Sequence, residues 1–311
     1  MKQKIATIFG ATGFIGRHLI RRLTEKDFRI IVATRSPYLH GYLKPLGDPG
    51  QIDLERVNLF DEKTLKVLLK NSNVVVNLVG ILYETRKQKF ENIHSKFPEL
   101  LSKLCNEHGI EKFIHLSALG VNEDVKSMYM RTKLQGEKNI LNNFDNSIIL
   151  RPSIVFGPED KFFNQFASLS QFLPFLPLIG GGQTKFQPIY VGDVAKAIAT
   201  ILETEEIDNK IYELGGAEIF TFQQLMNILL KEIQKRRFLI PIPFSIAKFM
   251  ARILQLFPKP LITTDQIEML KEDNVVSNNY GTLRDLNIEP TTIESILPHY
   301  IYRFRKGGEF A

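Results

Sequence analysis

The chain has 311 residues, of which 44% are apolar and 24% charged, and its formal net charge is +6. That length accommodates a doubly wound α/β domain with a smaller lobe, and the composition excludes disordered and fibrous classes. The cations are interspersed with carboxylates, and no basic stripe with interleaved aromatics precedes the tail, which argues against nucleic acid and leaves phosphates, acidic proteins or a lipid surface as anionic partners.

The single cysteine, Cys105, forbids an intrachain disulfide and reads as a buried thiol within an apolar helical pattern. The six histidines show no metal-ligand spacing, so no metal site is expected. The first residues, MKQKIATIFGATG, form a strand entering a glycine turn and have no secretory layout. The longest apolar candidate, near Phe172 to Ile179, is broken by Pro174 and Pro177. These features predict a soluble or peripheral protein of a reducing, cytoplasmic compartment.

From Lys4 to about Arg151, strand and helix patterns alternate. Short β-branched runs recur at Ile5–Phe9, Arg29–Thr34, Val74–Leu78, Lys112–Leu116 and Ser147–Leu150, with amphipathic stretches such as Ile15–Leu23, Thr64–Leu69 and Glu99–Glu107 between them. Such alternation predicts a Rossmann-type doubly wound parallel sheet, residues 1–151, with right-handed crossovers. After Arg151 prolines cluster up to Pro188, and the runs near Ile189–Val191 and Ile211–Leu214 are short. No linker separates the halves, so residues 152–311 read as a smaller C-terminal lobe interleaved with the first.

Within IATIFGATGFIGRHLIRRL a strand ends at Gly10, and Gly13 and Gly16 follow at three-residue spacing before a helix opens. Gly10 suits the tight turn, Gly13 lets a pyrophosphate approach the main chain, and Gly16 lets the helix pack closely on the strand. The unpaired N–H groups of the helix N-terminus then face the phosphates. The second strand ends in Arg35 with no nearby carboxylate, where an NAD site would place Asp or Glu. A guanidinium there attracts a 2′-phosphate, with Arg17 on the first helical turn as support, so NADP(H) is the expected cofactor. The alternative is that Arg35 is a solvated loop charge.

In SMYMRTKLQGE, Tyr129 and Lys133 lie four apart, on one helical face. The ammonium is expected to lower the phenol's pKa and hold a ribose, with Ser117, at the end of HLS, polarising a carbonyl.

The two motifs together resemble the short-chain dehydrogenase/reductase superfamily, in its extended and atypical branch. LRPSIVFGPEDKFFNQF, FQPIYVGDVAKAI, IYELGGAEIFTFQQL and TTDQIEMLKEDNVVS narrow the likeness to the family of the nucleotide-binding accessory subunit of respiratory complex I and its bacterial relatives. The resemblance spans nearly the whole chain. It implies a tightly held NADPH, a role in assembly or stability of the complex or in ubiquinone-linked metabolism, and a place at the inner membrane, on the matrix side in a mitochondrion. It assigns Gly10, Thr12, Gly13, Phe14, Ile15 and Gly16 to the phosphate loop, Arg35 to the 2′-phosphate, Lys133 to the ribose, and Pro152, Ile154 and Val155 to the strand end beside nicotinamide. Asn58, Leu59, Val79 and Gly80 complete the cofactor set, and Asn58 stands where the family has an aspartate. Ser117 is followed by Ala118 and Leu119, where the family has a second hydroxyl. That departure favours a cofactor-holding accessory protein over the alternative, an active NADP-dependent oxidoreductase on a hydrophobic carbonyl or quinone-type substrate.

In RRFLIPIPFSIAKFMARILQLFPKPL, Phe244, Ala247, Phe249, Met250, Ile253, Leu254 and Phe257 make a broad apolar helical face, with Lys248 and Arg252 opposite. The plain reading is a helix covering the sheet. The sharper one is a wall for an isoprenoid-like substrate, a partner subunit or a membrane surface. The tail HYIYRFRKGGEF reads either as a basic-aromatic patch or as a frayed end.

Overall fold

The computed structural model describes residues 3–308 apart from 125, 206 and 278. Met1 and Lys2 of the first segment and Glu309 and Phe310 of the tail lie outside the described residues.

The large sheet is built from β1 (Ile5–Phe9), β2 (Arg29–Thr34), β3 (Ile52–Arg56), β4 (Val74–Asn77), β5 (Lys112–Leu116) and β6 (Ser147–Pro152), joined by a seventh strand at Ile211–Leu214. Its order places β4, β5, β6 and the Ile211–Leu214 strand on one side of β1, and β2 and β3 on the other, with every pair parallel. The chain therefore reverses direction across the sheet between β1 and β4, and ligands of open α/β sheets bind at such a crevice.

Period-2 alternation sends each strand's side chains to two cores. Ala6, Ile8, Ile30, Val32, Val76 and Ile114 pack under α1 (Phe14–Thr24). Phe9, Val75, Phe113 and Ile149 pack under α2 (Glu62–Leu69), α3 (Phe97–Glu107) and α4 (Met128–Asn143). Cys105 is fully buried there, and burial pushes its thiol pKa up.

After Pro152 come β7 (Val155–Phe156), α5 (Phe162–Phe172), β8 (Phe175–Ile179), β9 (Lys185–Phe186), β10 (Ile189–Tyr190), α6 (Val191–Glu203), β11 (Ile211–Leu214), β12 (Phe220–Thr221), α7 (Phe222–Glu232), β13 (Phe238–Ile242), α8 (Phe244–Leu254) and α9 (Thr264–Met269). Helix α6 packs on α1, and β11 pairs with β6, so the chain returns to the first core after Ile189. A third core, around Phe163, Leu176, Leu225, Leu229 and Ile301, belongs to the later elements.

Two expectations for the C-terminal half change. Helix α8 does not join the core of the large sheet: its buried residues, Ala247 and Ala251, cluster with Ile179 at the end of β8 and Ile267 of α9. The tail is docked, since Tyr300 and Ile301 are buried and the Tyr300 hydroxyl donates to Asp160 at 2.5 Å. Arg303 donates to Asn164 at 2.5 Å and Arg305 to the Glu232 carbonyl at 2.7 Å, which engages the tail's two arginines within the protein.

Candidate functional site

Strand β1 runs into Gly10 at φ +80, where a Cβ would lie 2.8 Å from the Leu78 carbonyl carbon. A Cβ at Gly16 would sit 2.4 Å from Ala11 Cα, so the helix can approach the turn only through glycine. Gly13 differs. It is the N-cap of α1, its N–H donates to the Gly10 carbonyl at 3.0 Å, and a Cβ there would meet only that carbonyl oxygen, at 3.2 Å. No side chain caps α1, which leaves N–H groups of its first turn open to an anion.

Thr12, Phe14 and Ile15 are half-buried around the turn, and Phe14 sets its ring edge against His18 at 5.8 Å. Arg17 places Nη1 3.5 Å from Glu159, while its Nε is buried without a protein partner. Arg17 is thus held by a carboxylate from the segment after β7. Arg35, just past β2, is exposed and has no ion pair among the described residues. Asn58 and Leu59 follow β3; Asn58 Oδ1 accepts from the Phe60 N–H at 3.3 Å and Leu59 packs on the second core. Val79 and Gly80 follow β4, with the Val79 N–H donating to Asn77 Oδ1 at 3.1 Å.

Tyr129 and Lys133 lie one turn apart on α4, both buried. Lys133 Nζ donates to the Leu116 carbonyl at 2.8 Å, and burial brings its pKa down to about 8 against the opposing pull of Glu137. The expected lowering of the phenol's pKa does not occur. Burial, with Asp265 adding its negative charge, pushes Tyr129 up to about 12. At neutral pH the phenol is protonated and is a hydrogen-bond donor, not a ready base. Ser117 follows β5, and its Oγ is buried without a protein partner. An orphaned buried hydroxyl, one residue past the Leu116 carbonyl that Lys133 holds, suits a polar ligand group.

His94 belongs to this cluster and was not singled out from the sequence. It lies in a π-helical turn, Glu91–Lys96, stacked on Phe90 at 5.3 Å and edge-on to Tyr129 at 5.0 Å. Its Nε2 accepts from the Ile81 N–H at 3.1 Å, and its Nδ1 faces Thr132 Oγ1 at 3.3 Å. Burial, then the Lys133 charge, takes its pKa down to about 2, so the ring is neutral. A Cβ on Gly80 would lie 3.7 Å from Lys133 Nζ and 3.9 Å from His94 Nε2, which places the end of β4 against the same cluster. The extra residue of a π-turn breaks the 3.6 period, so the pattern that marks Glu99–Glu107 does not extend back to His94.

Helix α4 is anchored at its start and partway along its length. Glu137 and Arg151 pair at 2.6 Å within the protein, with Glu213 at 3.7 Å and the Tyr280 ring 4.7 Å from the guanidinium. At its start, Asp265 of α9 accepts from Ser127 Oγ at 2.7 Å. Pro152 ends β6, and Ile154 and Val155 follow. The segment after α9 reaches them through Asn274, which receives the Ser153 hydroxyl at 2.7 Å and donates to the Leu119 carbonyl at 3.0 Å. A cavity of about 850 Å³ opens beside the cluster, lined by Tyr83, Phe90, Met128, Leu256, Phe257 and Asp265 among others. Among the described residues no histidine, cysteine or carboxylate cluster could hold a metal.

A parallel sheet with a glycine turn at its switch point and a Tyr-Lys pair on the fourth major helix defines a nicotinamide-dinucleotide fold of the extended short-chain dehydrogenase/reductase type. The chain belongs to the NAD dependent epimerase/dehydratase family, whose profile matches residues 6–215. It is 37% identical to NADH dehydrogenase [ubiquinone] 1 alpha subcomplex subunit 9, mitochondrial, of Arabidopsis thaliana, over 98% of this chain and 79% of that protein. The subunit of the same name from Dictyostelium discoideum is 34% identical over 98% of this chain and 86% of that protein. The fold is that of DesIV, a dTDP-glucose 4,6-dehydratase from Streptomyces venezuelae with NAD and TYD bound: TM-score 0.72, 16% identity, 96% of each chain covered. No helix among the described residues is long and apolar enough to cross a membrane.

Proposed function

We propose that this chain is an NADP(H)-holding accessory subunit or assembly factor of a respiratory complex I, in which the nucleotide acts chiefly as a structural ligand. One contrast carries the reading. The uncapped α1 N-terminus and the exposed Arg35 suit a dinucleotide, whereas Ala118 follows Ser117 where the family resemblance calls for a second hydroxyl, and burial pushes the Tyr129 phenol up to about 12, away from service as a base. The uncapped α1 N-terminus would receive the pyrophosphate, and the exposed Arg35 a 2′-phosphate. Lys133 would hold the nicotinamide ribose, and the Ser117 hydroxyl would gain a partner it lacks within the protein. When bound, the nucleotide supplies a hydride carrier; here it would also tie the ends of β1, β2, β4 and β6 together. A ligand present at a hundred times its dissociation constant stabilises its fold by about 2.7 kcal/mol. The likeness to mitochondrial NADH dehydrogenase subunits over nearly the full chain supports the setting.

The second reading, an active oxidoreductase on a hydrophobic carbonyl or quinone-type compound, is favoured by the cavity of about 850 Å³ beside Phe90 and Tyr129. A complementation assay separates the two. In a deletion strain, Tyr129→Phe should sustain respiratory-chain activity and the abundance of assembled complex, and Gly13→Val should not. If Tyr129→Phe binds NADPH normally yet is as defective as Gly13→Val, the oxidoreductase reading replaces the accessory one.

A further inference from the structure

The turn after β7 touches the glycine turn on one side and the docked tail on the other. Gly157 sits at φ +154, and a Cβ there would lie 3.1 Å from the Phe14 ring, so this turn rests against the phosphate loop. Two residues on, the Glu159 carboxylate faces α1: Oε1 is 3.5 Å from Arg17 Nη1 and Oε2 is 3.5 Å from His18 Nε2. Arg17 Nε is left buried without a protein partner, and an orphaned donor of this kind suits an anionic oxygen. Asp160 shapes the turn from inside. It is buried and accepts from the Gly157 N–H at 3.2 Å and the Asn164 N–H at 3.2 Å. The same carboxylate takes the Tyr300 hydroxyl at 2.5 Å. Arg303 donates to Asn164 at 2.5 Å, and the Asn164 amide donates in turn to the Asp160 carbonyl at 3.0 Å. The tail and the phosphate-binding end of α1 are therefore held through one turn.

We infer that Gly157–Asp160 is a strap coupling the docked C-terminal tail to retention of the nucleotide, with Glu159 as the positioning residue that passes the tail's restraint to Arg17 and the phosphate loop. This coupling rests on the nucleotide reading above and gives that site a control. When the tail undocks, Asp160 loses its hydroxyl donor in a buried setting, a costly state that favours rearrangement of the turn. Rearrangement withdraws Glu159 from Arg17, so exchange of nucleotide is slow while the tail is docked. Linkage makes the effect reciprocal: whatever factor the docked tail adds to NADPH affinity, bound NADPH adds to tail docking.

The test measures NADPH affinity by calorimetry and tail exposure by limited trypsin cleavage after Arg303 and Arg305, both on the full chain. Tyr300→Phe with Arg303→Ala should weaken NADPH binding at least about fivefold, the lower end of usual coupling between sites. Saturating NADPH should slow cleavage of the wild-type tail by a comparable factor. Glu159→Ala leaves tail and turn bonded to each other, yet should weaken NADPH binding to a similar degree. Adding the tail substitutions to it should cost little more, since both act through one path. Thermal denaturation without nucleotide checks that each variant folds, and Glu159→Ala, at an exposed side chain, serves should the tail variant fold poorly. A wild-type chain that binds no NADPH overturns the nucleotide reading and the coupling together. Equal affinity in wild type and both variants overturns the coupling alone, as does a tail cut at the same rate with and without NADPH. Tighter binding by Glu159→Ala overturns it too, since the carboxylate would then compete with the phosphates for Arg17. Fully additive losses would overturn the route through Glu159.

Discussion

The Asp265 carboxylate accepts a hydrogen bond from the backbone N–H of Tyr129 at 3.1 Å, and a second from Met128 at 2.6 Å, across 136 residues of sequence. A side chain from the C-terminal half thus completes the N-terminus of the helix that carries the Tyr-Lys pair. It satisfies N–H groups that Ser127, through Met130, leaves open, and its charge opposes the positive end of the helix dipole. Asp265→Ala should destabilise the chain by about 1–2 kcal/mol, the usual cost of losing a helix cap. The Tyr129 pKa should fall below about 12, because a negative charge that raises it is gone. Urea unfolding reads the first effect and ultraviolet titration of tyrosinate, wild type against variant, the second. An unchanged titration would mean that burial alone sets the phenol.

Arg35 should decide between the two dinucleotides. With no carboxylate paired to it among the described residues, its guanidinium is available to a 2′-phosphate. A charge-assisted hydrogen bond of this kind contributes roughly 1.5–3 kcal/mol, so NADPH should bind about ten- to a hundredfold more tightly than NADH. Calorimetric titration of both cofactors should show the gap closing in Arg35→Ala. Equal affinities in the wild type would reject the assignment.

The glycines of the turn should separate into two kinds. A Cβ at Gly16 collides with Ala11 backbone at 2.4 Å, so Gly16→Ala should cost about 1–3 kcal/mol of stability, the range for overpacking a tight contact. A side chain at Gly13 meets only one carbonyl oxygen, at 3.2 Å, so Gly13→Val should keep most of the thermal stability of the nucleotide-free chain and lose nucleotide binding. Thermal denaturation of both variants, with and without NADPH, distinguishes these outcomes; a Gly13→Val chain that binds normally would move the phosphate elsewhere.

Lys133 should be retained at a cost to the empty protein. Its folded pKa, about 8, lies below the ordinary lysine value of 10.5 because burial disfavours the ammonium. Below pH 8 both folded and unfolded chains carry the charge, and the penalty is full. Between pH 8 and 10.5 the unfolded state binds more protons, so this residue's contribution to stability rises with pH and the penalty fades. Lys133→Met should therefore stabilise the nucleotide-free chain at pH 7 by about 1–2 kcal/mol, after the Leu116 carbonyl loses its donor. The variant's stability should rise less across pH 8–10.5, and its NADPH affinity should fall. A destabilised Lys133→Met chain would show that the hydrogen bond outweighs desolvation.

The sequence by itself determined the parallel sheet and the nucleotide turn, because both rest on local physics. Short β-branched runs, buried on both faces, mark β1, β2 and β5 at their observed limits, and Gly10 and Gly16 announce close approaches that any Cβ would block. The family resemblance likewise followed from contiguous segments. Only the tertiary structure decided how the Tyr-Lys pair is tuned. Tyr129 and Lys133 share a helical face in either view, but the phenol's pKa depends on burial and on Asp265, and the lysine's on burial and Glu137. His94 entered the cluster through a π-turn that no regular period reveals. Helix α8 has the same amphipathic pattern whether it covers a sheet or faces outward, since periodicity defines a face and not what lies against it. That choice was made by α9 and the end of β8, which bury Ala247 and Ala251 and leave the larger side chains exposed.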